Sequence, residues 1–423
     1  MLDLKAIRDN PAPGRRALAR RSPELAADLD RLLELDADWR RLTTEVEELR
    51  AEQNRASRAI GSVSGQERTR QIDEVRRVSD RLKELEPALL SAEEEVRSLL
   101  DRLPNLPHHS VPEGETDEDN EILREVGDRP TFPFEPRDHV DLGTALGVID
   151  LERGVRLSGT RFAYLLGGAV TVQFALLRYC LDRLQDKGFL PVIPPVLVRE
   201  EAMYGTGFLP TDEAQLYVTR EDDLYLVGTS EVALAGLHQG ELLEAGTLPR
   251  RYVGYSTCFR REAGAHGKDT RGIFRVHQFD KVEMFSFTDP DASWDEHEFL
   301  LSCEEELVQG LGLPYRVANV CTGELGASAA KKYDVEVWLP GQDRYRELTS
   351  CSNTTDYQAR RLGVRVRGPD GNRPAHTLNG TACAIGRTLI ALLENHQREG
   401  GSVVLPEALH PYLPEGSRTL APA

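Results

Sequence analysis

The stretch FRREAGAHGKDTRGIFRVHQFDKVEMF, residues 259–285, sets Arg260, Arg261, Arg271, Arg275 and two glutamates, Glu262 and Glu283, around a loop of small residues. Its flanks read as strands, over 252–262 and 273–287, joined by the glycine-containing segment 263–272. Alternate side chains of a strand share a face. Arg260 and Glu262 therefore fall together on the first strand. On the second, Arg275, Phe279 and Glu283 share one face, and Phe274, Val276, Val282 and Met284 share the other, apolar, face. One concave surface would then show guanidiniums suited to bidentate phosphate binding, a ring able to stack on a base, and carboxylates able to accept from N–H groups. Cross-strand salt bridges on an exposed hairpin are the plainer reading. No GxxxxGK[ST] loop occurs, and GTG at 205–207 lacks the third glycine of a dinucleotide fingerprint. Arginines on an antiparallel sheet would have to hold any nucleotide phosphates.

Around that hairpin the whole-chain totals only set bounds. At 423 residues the chain can bury a large core and exceeds one small domain. Its 40% hydrophobic and 29% charged residues are those of a globular protein. Cys180, Cys258, Cys303, Cys321, Cys351 and Cys383 stand far apart without a CxxC pair, so neither a disulfide framework nor a zinc ribbon is expected, and a reducing cytoplasm is. The N-terminus, MLDLKAIRDNPAPGRR, has no apolar signal core. The longest uncharged run, between Arg161 and Arg178, is shorter than the roughly 20 apolar residues of a membrane span. A net charge of −18 argues against indiscriminate nucleic-acid binding but leaves room for a local basic stripe.

Residues 23–103 follow a different period. Leu32, Leu35, Trp39, Leu42, Val46 and Leu49 step by three and four, as do Val75, Val78, Leu82, Leu85, Leu89, Ala92, Val96 and Leu99. Both are coiled-coil seams, and GSVSG at 61–65 is the turn between them. The result is an antiparallel helical hairpin with arms of roughly 50 Å at about 1.5 Å per residue. Arg50, Arg55, Arg58, Arg68, Arg70, Arg76 and Arg77 surround its tip. A solvated dimerisation helix and a lever that touches a polyanion fit this pattern equally. The prolines and acids of LPNLPHHSVPEGETDEDNE, 103–121, read as a linker, and residues 130–423 as one α+β domain.

FRRE with RGIFRVHQFDKVEMF resembles motif 2 of the class II aminoacyl-tRNA synthetases. LNGTACAIGRTLIALLENHQ, 378–397, resembles motif 3, and FLPVIPPVLV, 189–198, resembles motif 1, which lies at the dimer interface of that class. GTSEVAL at 228–234, ELTSCSNTTDYQARR at 347–361 and the N-terminal hairpin narrow the resemblance to the seryl-tRNA synthetases of bacterial type, over essentially the whole chain. Nothing resembles an anticodon-binding domain.

That resemblance implies a tRNA-binding helical arm over 1–103, a linker over 104–129, and a catalytic domain over 130–423 built on an antiparallel sheet with flanking helices. It implies a cytoplasmic homodimeric ligase, with no membrane partner, that joins L-serine to tRNA(Ser), and to tRNA(Sec) where one exists. The arm, with its seven tip arginines, would grip the long variable arm of a tRNA held by the other subunit. Arg260 would hold the ATP α-phosphate, Glu262 and the Val276 backbone would meet adenine, and Phe279 would stack on it. Arg387 would cover the other face of adenine and reach the γ-phosphate, and Arg260 and Arg387 would act catalytically. Arg261, Arg275, Leu348 and Thr349 complete the ATP set, and Glu347 and Ser350 would bind ATP and its Mg²⁺. Thr229, Ser230 and Glu231 would take the serine backbone, Glu231 its ammonium, while Glu283, Thr381 and Asn379 form the hydroxyl side. His266 and His277 read as a loop residue and a structural hydrogen-bonder. Thr354 stands where the family has cysteine and reads as packing; Thr381 stands where serine is common. Cys351 and Cys383 read as small buried residues, and the scattered cysteines oppose the zinc-dependent archaeal form. Two rivals are a relative that loads a carrier protein, which lacks the arm and uses zinc, and an inactive paralogue, which would lack one of Arg260, Glu262, Glu283 or Arg387.

Overall fold

The computed structural model describes residues 1–264, 267, 269, 271–369 and 371–422. They form two compact units, Leu2–Pro104, and Asn105–Ala423 with Met1.

The smaller unit is helical: α1 (Leu4–Asp9), α2 (Pro11–Ala19), α3 (Pro23–Ala59) and α4 (Gly65–Arg102). Ser22 starts α3 by accepting the Leu25 N–H, with Pro23 in the first turn and Glu24 facing the positive end of the helix dipole. The turn at Ile60–Ser62 leads to Gly65, whose φ of +65° suits glycine. The seam residues Leu32, Val46, Val78, Leu82 and Leu85 are buried. The charged residues beside them are mostly exposed, as the three-four spacing requires. At 37 and 38 residues, α3 and α4 are each roughly 55 Å long. Sequence periodicity does not announce α1 and α2, which hold only 6 and 9 residues; Leu18 of α2 and Leu29 of α3 are fully buried, and Arg8 and Arg40 both pair with the buried Asp36.

The larger unit is built on an eight-stranded sheet. Its strands are β1 (Glu121–Val126), β2 (Leu190–Val192), β3 (Arg250–Phe259), β4 (Gln278–Thr288), β5 (Tyr315–Asn319), β6 (Lys331–Leu339), β7 (Arg344–Asn353) and β8 (His376–Ala384). They lie in the order β1-β5-β6-β7-β8-β4-β3-β2, antiparallel throughout except for β2 against β3. Among its helices, those that build the core and the site are α5 (Gly168–Asp186), α6 (Glu231–Ala235), α7 (Ser293–Gly310), α8 (Tyr357–Leu362) and α9 (Ile385–Asn395). α5, α7 and α9 bury Leu176, Tyr179, Leu300, Leu307 and Leu389 with Val282, Met284 and Val335 of the sheet. A second cluster joins Leu234 of α6 and Leu362 of α8 to Phe285 and Phe287 of β4. The fold is α+β, as the alternating patterns imply. Among the described residues no helix is long and apolar enough to cross a membrane.

Two boundaries differ from the sequence reading. β3 ends at Phe259 and β4 begins at Gln278, so Arg260, Glu262 and residues 273–277 lie outside the ladder. Glu262 has φ +50°, which no strand accommodates. The supposed linker over 104–129 is also part of the larger unit from Asn105 onward. Its Glu121–Val126 pairs with β5 as an edge strand, and the Asn105 side chain donates to Ser328 O, Thr354 O and Thr355 Oγ1. Proline-rich, acidic composition hid a segment held by backbone pairing and one buried amide.

Candidate active site

β4, β7 and β8, the turn after β3 and the start of α9 frame one cleft, which encloses about 710 Å³ including its open mouth. Arg260, Glu262, Arg275, Val276, Phe279, Glu347, Leu348, Ser350, Thr381 and Arg387 line it, so most of the expected ATP residues meet there. Phe274 also lines it; it belongs to the main core cluster and Val276 packs against that cluster, as alternation predicts, while both also face the cleft although they lie outside the ladder. The side chains of Arg261 and Thr349 do not. Arg261 is exposed, and its N–H donates to Gln215 O. Thr349 is buried and its hydroxyl donates to Glu304 of α7, away from the cleft.

The cleft is dense with guanidiniums held by carboxylates and rings. Arg260 lies 5.2 Å from the Phe279 ring and donates to Gly228 O at 3.1 Å. Arg275 pairs with Glu262 at 2.8 Å, so the salt-bridged reading of the hairpin holds for that pair. Arg387 lies 4.7 Å from the Phe274 ring and pairs with Glu347 at 3.3 Å. Burial works against the charged form of Glu347, but Arg387, Lys332 and Arg260 outweigh it and hold its pKa at about 2. With 42% of that side chain open to water, solvent screening trims the effect without changing its sign. The result is an ionised carboxylate beside Ser350, two hard oxygen donors on one strand.

Next to this basic cleft lies an acidic pocket. Glu283 is fully buried; Asn379 Nδ2 donates to it and to Glu231, at 3.2 Å each, and Thr381 Oγ1 donates to it at 3.3 Å. A bulge in the β4–β8 pairing after Val282 brings Glu283 opposite Thr381 while Val282 and Cys383 stay in the core. Burial, then the charge of Glu283, pushes the Glu231 pKa up to about 7. Thr229 Oγ1 accepts the Glu231 N–H, and Ser256 donates to the Ser230 hydroxyl, so these two hydroxyls are engaged locally.

Sequence reasoning missed two participants. Lys281 lines the cleft and pairs with Glu283 at 2.5 Å; its place two residues before Glu283 on the same strand face was the available hint. Gln358 donates to Glu231 at 2.8 Å across 127 residues of chain, which no local pattern reveals. His277 Nδ1–H donates to Arg260 O, 2.9 Å away, as a structural hydrogen-bonder. His266 lies outside the described residues. All seven tip arginines of the helical hairpin are exposed; Arg50 pairs with Glu86, and the other six form no ion pair among the described residues.

Comparison with known proteins gives consistent matches. Residues 1–107 match the family model described as "Seryl-tRNA synthetase N-terminal domain", and residues 216–396 match "tRNA synthetase class II core domain (G, H, P, S and T)". The Serine--tRNA ligase of Acidothermus cellulolyticus is 50% identical over 422 residues, and that of Rubrobacter xylanophilus 47% identical over 427, each covering all of both chains. The crystal structure of seryl-tRNA synthetase from Pyrococcus horikoshii complexed with ATP superposes with a TM-score of 0.94 at 42% identity, again over the whole of both chains.

Proposed function

This chain belongs to the seryl-tRNA synthetases, aminoacyl-tRNA ligases, and from that premise we propose that it activates L-serine with ATP in the described cleft and transfers the seryl group to tRNA(Ser). The observation that carries the reading is adjacency. Thr381 lines the basic cleft and donates to Glu283 of the acidic pocket, so a nucleotide phosphate and an amino acid would meet at that boundary.

The serine ammonium would sit against Glu231 and its hydroxyl against Glu283 and Thr381. Its carboxylate is already a nucleophile. It attacks the α-phosphorus in line, a new C–O–P bond forms, and the bond to pyrophosphate breaks. Arg260 would exchange its Gly228 contact for the α-phosphate, and Arg387 would leave Glu347 for the γ-phosphate. Catalysis then comes from positioning and from cations placed where charge develops. The 3′-hydroxyl of the tRNA next attacks the adenylate carbonyl and expels AMP. Hydrogen bonds to the substrate hydroxyl reject alanine by roughly 10⁴-fold in well-made sites, while threonine is opposed only by volume, at about 1–3 kcal/mol per methyl.

Glu347 and Ser350 fit Mg²⁺: one carboxylate held ionised and one hydroxyl, both on the cleft wall, leave the remaining positions for ATP oxygens and water. When bound there, Mg²⁺ would neutralise phosphate charge.

The six tip arginines that form no ion pair among the described residues support the helical hairpin as the tRNA-binding arm, reading backbone and shape. Family behaviour extends the substrate to tRNA(Sec) where one is present. The 189–198 segment supports a homodimer: Ile193 is 88% exposed and Leu190 60%, with Leu157 and Phe174 similarly bare. The cytoplasm is the expected compartment. All four residues that an inactive paralogue would lack one of are present, and the match to the seryl N-terminal domain opposes a carrier-protein ligase.

Serine-dependent ATP–pyrophosphate exchange without tRNA, beside alanine, threonine and glycine, tests the reading. Serine alone should support exchange, and Arg260→Ala should abolish it. Equal stimulation by another amino acid would overturn the serine assignment.

A further inference from the structure

Thr354 departs from the family's cysteine, and packing is all its position in the sequence suggests. In the fold it is the outer end of a buried relay. Thr354 Oγ1 lies 2.6 Å from Thr377 Oγ1, and Thr377 Oγ1 donates to Gln358 Oε1 at 2.9 Å. Gln358 Nε2 donates to Thr206 O at 3.2 Å and to Glu231 Oε1 at 2.8 Å. Thr354, Thr377 and Gln358 are all fully buried.

The chemistry of these partners fixes the amide. A main-chain carbonyl only accepts, so the Gln358 NH₂ must face Thr206, and its oxygen must face the hydroxyls. Its second N–H is therefore committed to Glu231, and a donor to a carboxylate favours the charged form. The other charged groups around Glu231 are Glu283, which opposes ionisation, and Lys281 and Arg260, which favour it. Asn379 supplies the remaining N–H. Glu231 is thus finely balanced, and Gln358 is the nearest donor that tips it.

We propose that Gln358, locked in orientation by Thr377 and Thr354, is a positioning residue that keeps the Glu231 carboxylate ionised and aimed at the protonated α-amine of the amino-acid substrate; this rests on the reading of Glu231 as that amine's partner. Loss of the N–H raises the Glu231 pKa, so the neutral form gains most at lower pH and substrate binding suffers most there. Raising the pH restores the charge.

The test is pyrophosphate exchange at saturating ATP with serine varied, between about pH 6.5 and 8.5, on wild type, Gln358→Met, Thr377→Val and Thr354→Val. Gln358→Met should raise the serine KM about tenfold or more at neutral pH, the scale of a hydrogen bond to a charged group. That gap should narrow as pH rises, with the KM for ATP unchanged. The two valine variants should shift serine KM in the same direction by less. Should Gln358→Met not fold, Thr377→Val, which removes one hydroxyl and almost no volume, decides by the same pH profile. A gap that is constant with pH, or a parallel rise in ATP KM, overturns the relay while wild-type exchange with serine keeps the parent reading. Absence of serine-dependent exchange in the wild type overturns both.

Discussion

Glu304 of α7 is a fully buried carboxyl with only one of its two oxygens partnered: Thr349 donates to Oε2 at 2.9 Å, and Oε1 has no partner among the described residues. Burial first, then the charges of Glu283 and Asp334, push its pKa well above the usual carboxylate range. Gly380 makes room for it: a Cβ there would stand 2.9 Å from Oε1 and 3.1 Å from the Cys351 Cβ, which explains a glycine between Asn379 and Thr381. A group whose folded pKa is raised takes up a proton on folding, so its contribution is fully present below the unfolded value, about 4.3, and is lost as pH rises towards the folded one. Glu304→Gln has no proton to take up. Its melting temperature relative to wild type should therefore climb from pH 5 to pH 8, and a difference that ignores pH would refute a neutral Glu304. Arg260 and Glu262 are legible in the hairpin's alternation, and Glu347 and Arg387 only through the family motifs they resemble. Glu304 and Gln358 are not, because burial and partners 45 and 127 residues away give them their character.

At the scale of elements, the coiled-coil arm is the most readable part because one period governs some eighty residues and one seam buries it. The motif 2 hairpin is half readable. Alternation identifies β3 and β4, but the residues that enter the cleft do so by leaving the strands, through the φ of +50° at Glu262 and the irregular 271–277, where alternation carries no information. β1 is hidden for another reason: its register is imposed by β5, nearly 200 residues later. The arm's role yields a separable prediction. Replacing Arg55, Arg58, Arg68, Arg70, Arg76 and Arg77 by alanine should leave serine-dependent pyrophosphate exchange unchanged and lower kcat/KM for tRNA aminoacylation. The salt dependence of tRNA binding should flatten by about 0.7–0.9 in the log–log slope per phosphate contact removed. Unchanged aminoacylation by the sixfold variant would return the hairpin to a solvated structural role.

For the whole molecule, the proposed homodimer allows each arm to serve either its own cleft or its partner's. Ile193, Leu190, Leu157 and Phe174 are exposed, and the proposed dimer would cover them, so Ile193→Lys should shift the sedimentation mass from dimer towards monomer. The arm's direction of action can then be tested by mixing two variants that each fail alone. One carries the six arm alanines with an intact cleft; the other carries Arg260→Ala with an intact arm. In a mixed dimer, an arm that acts within its own chain leads tRNA only to the disabled cleft, and the mixture stays as inactive as its parts. An arm that reaches the partner delivers tRNA to the intact cleft. With random reassortment half the dimers are mixed and each has one productive pairing, so aminoacylation should return to about a quarter of the wild-type level. Adding Ile193→Lys to both variants should remove that recovery, because a monomer has no second arm to borrow. Recovery that survives the interface substitution would mean that tRNA is shared by some route other than the dimer.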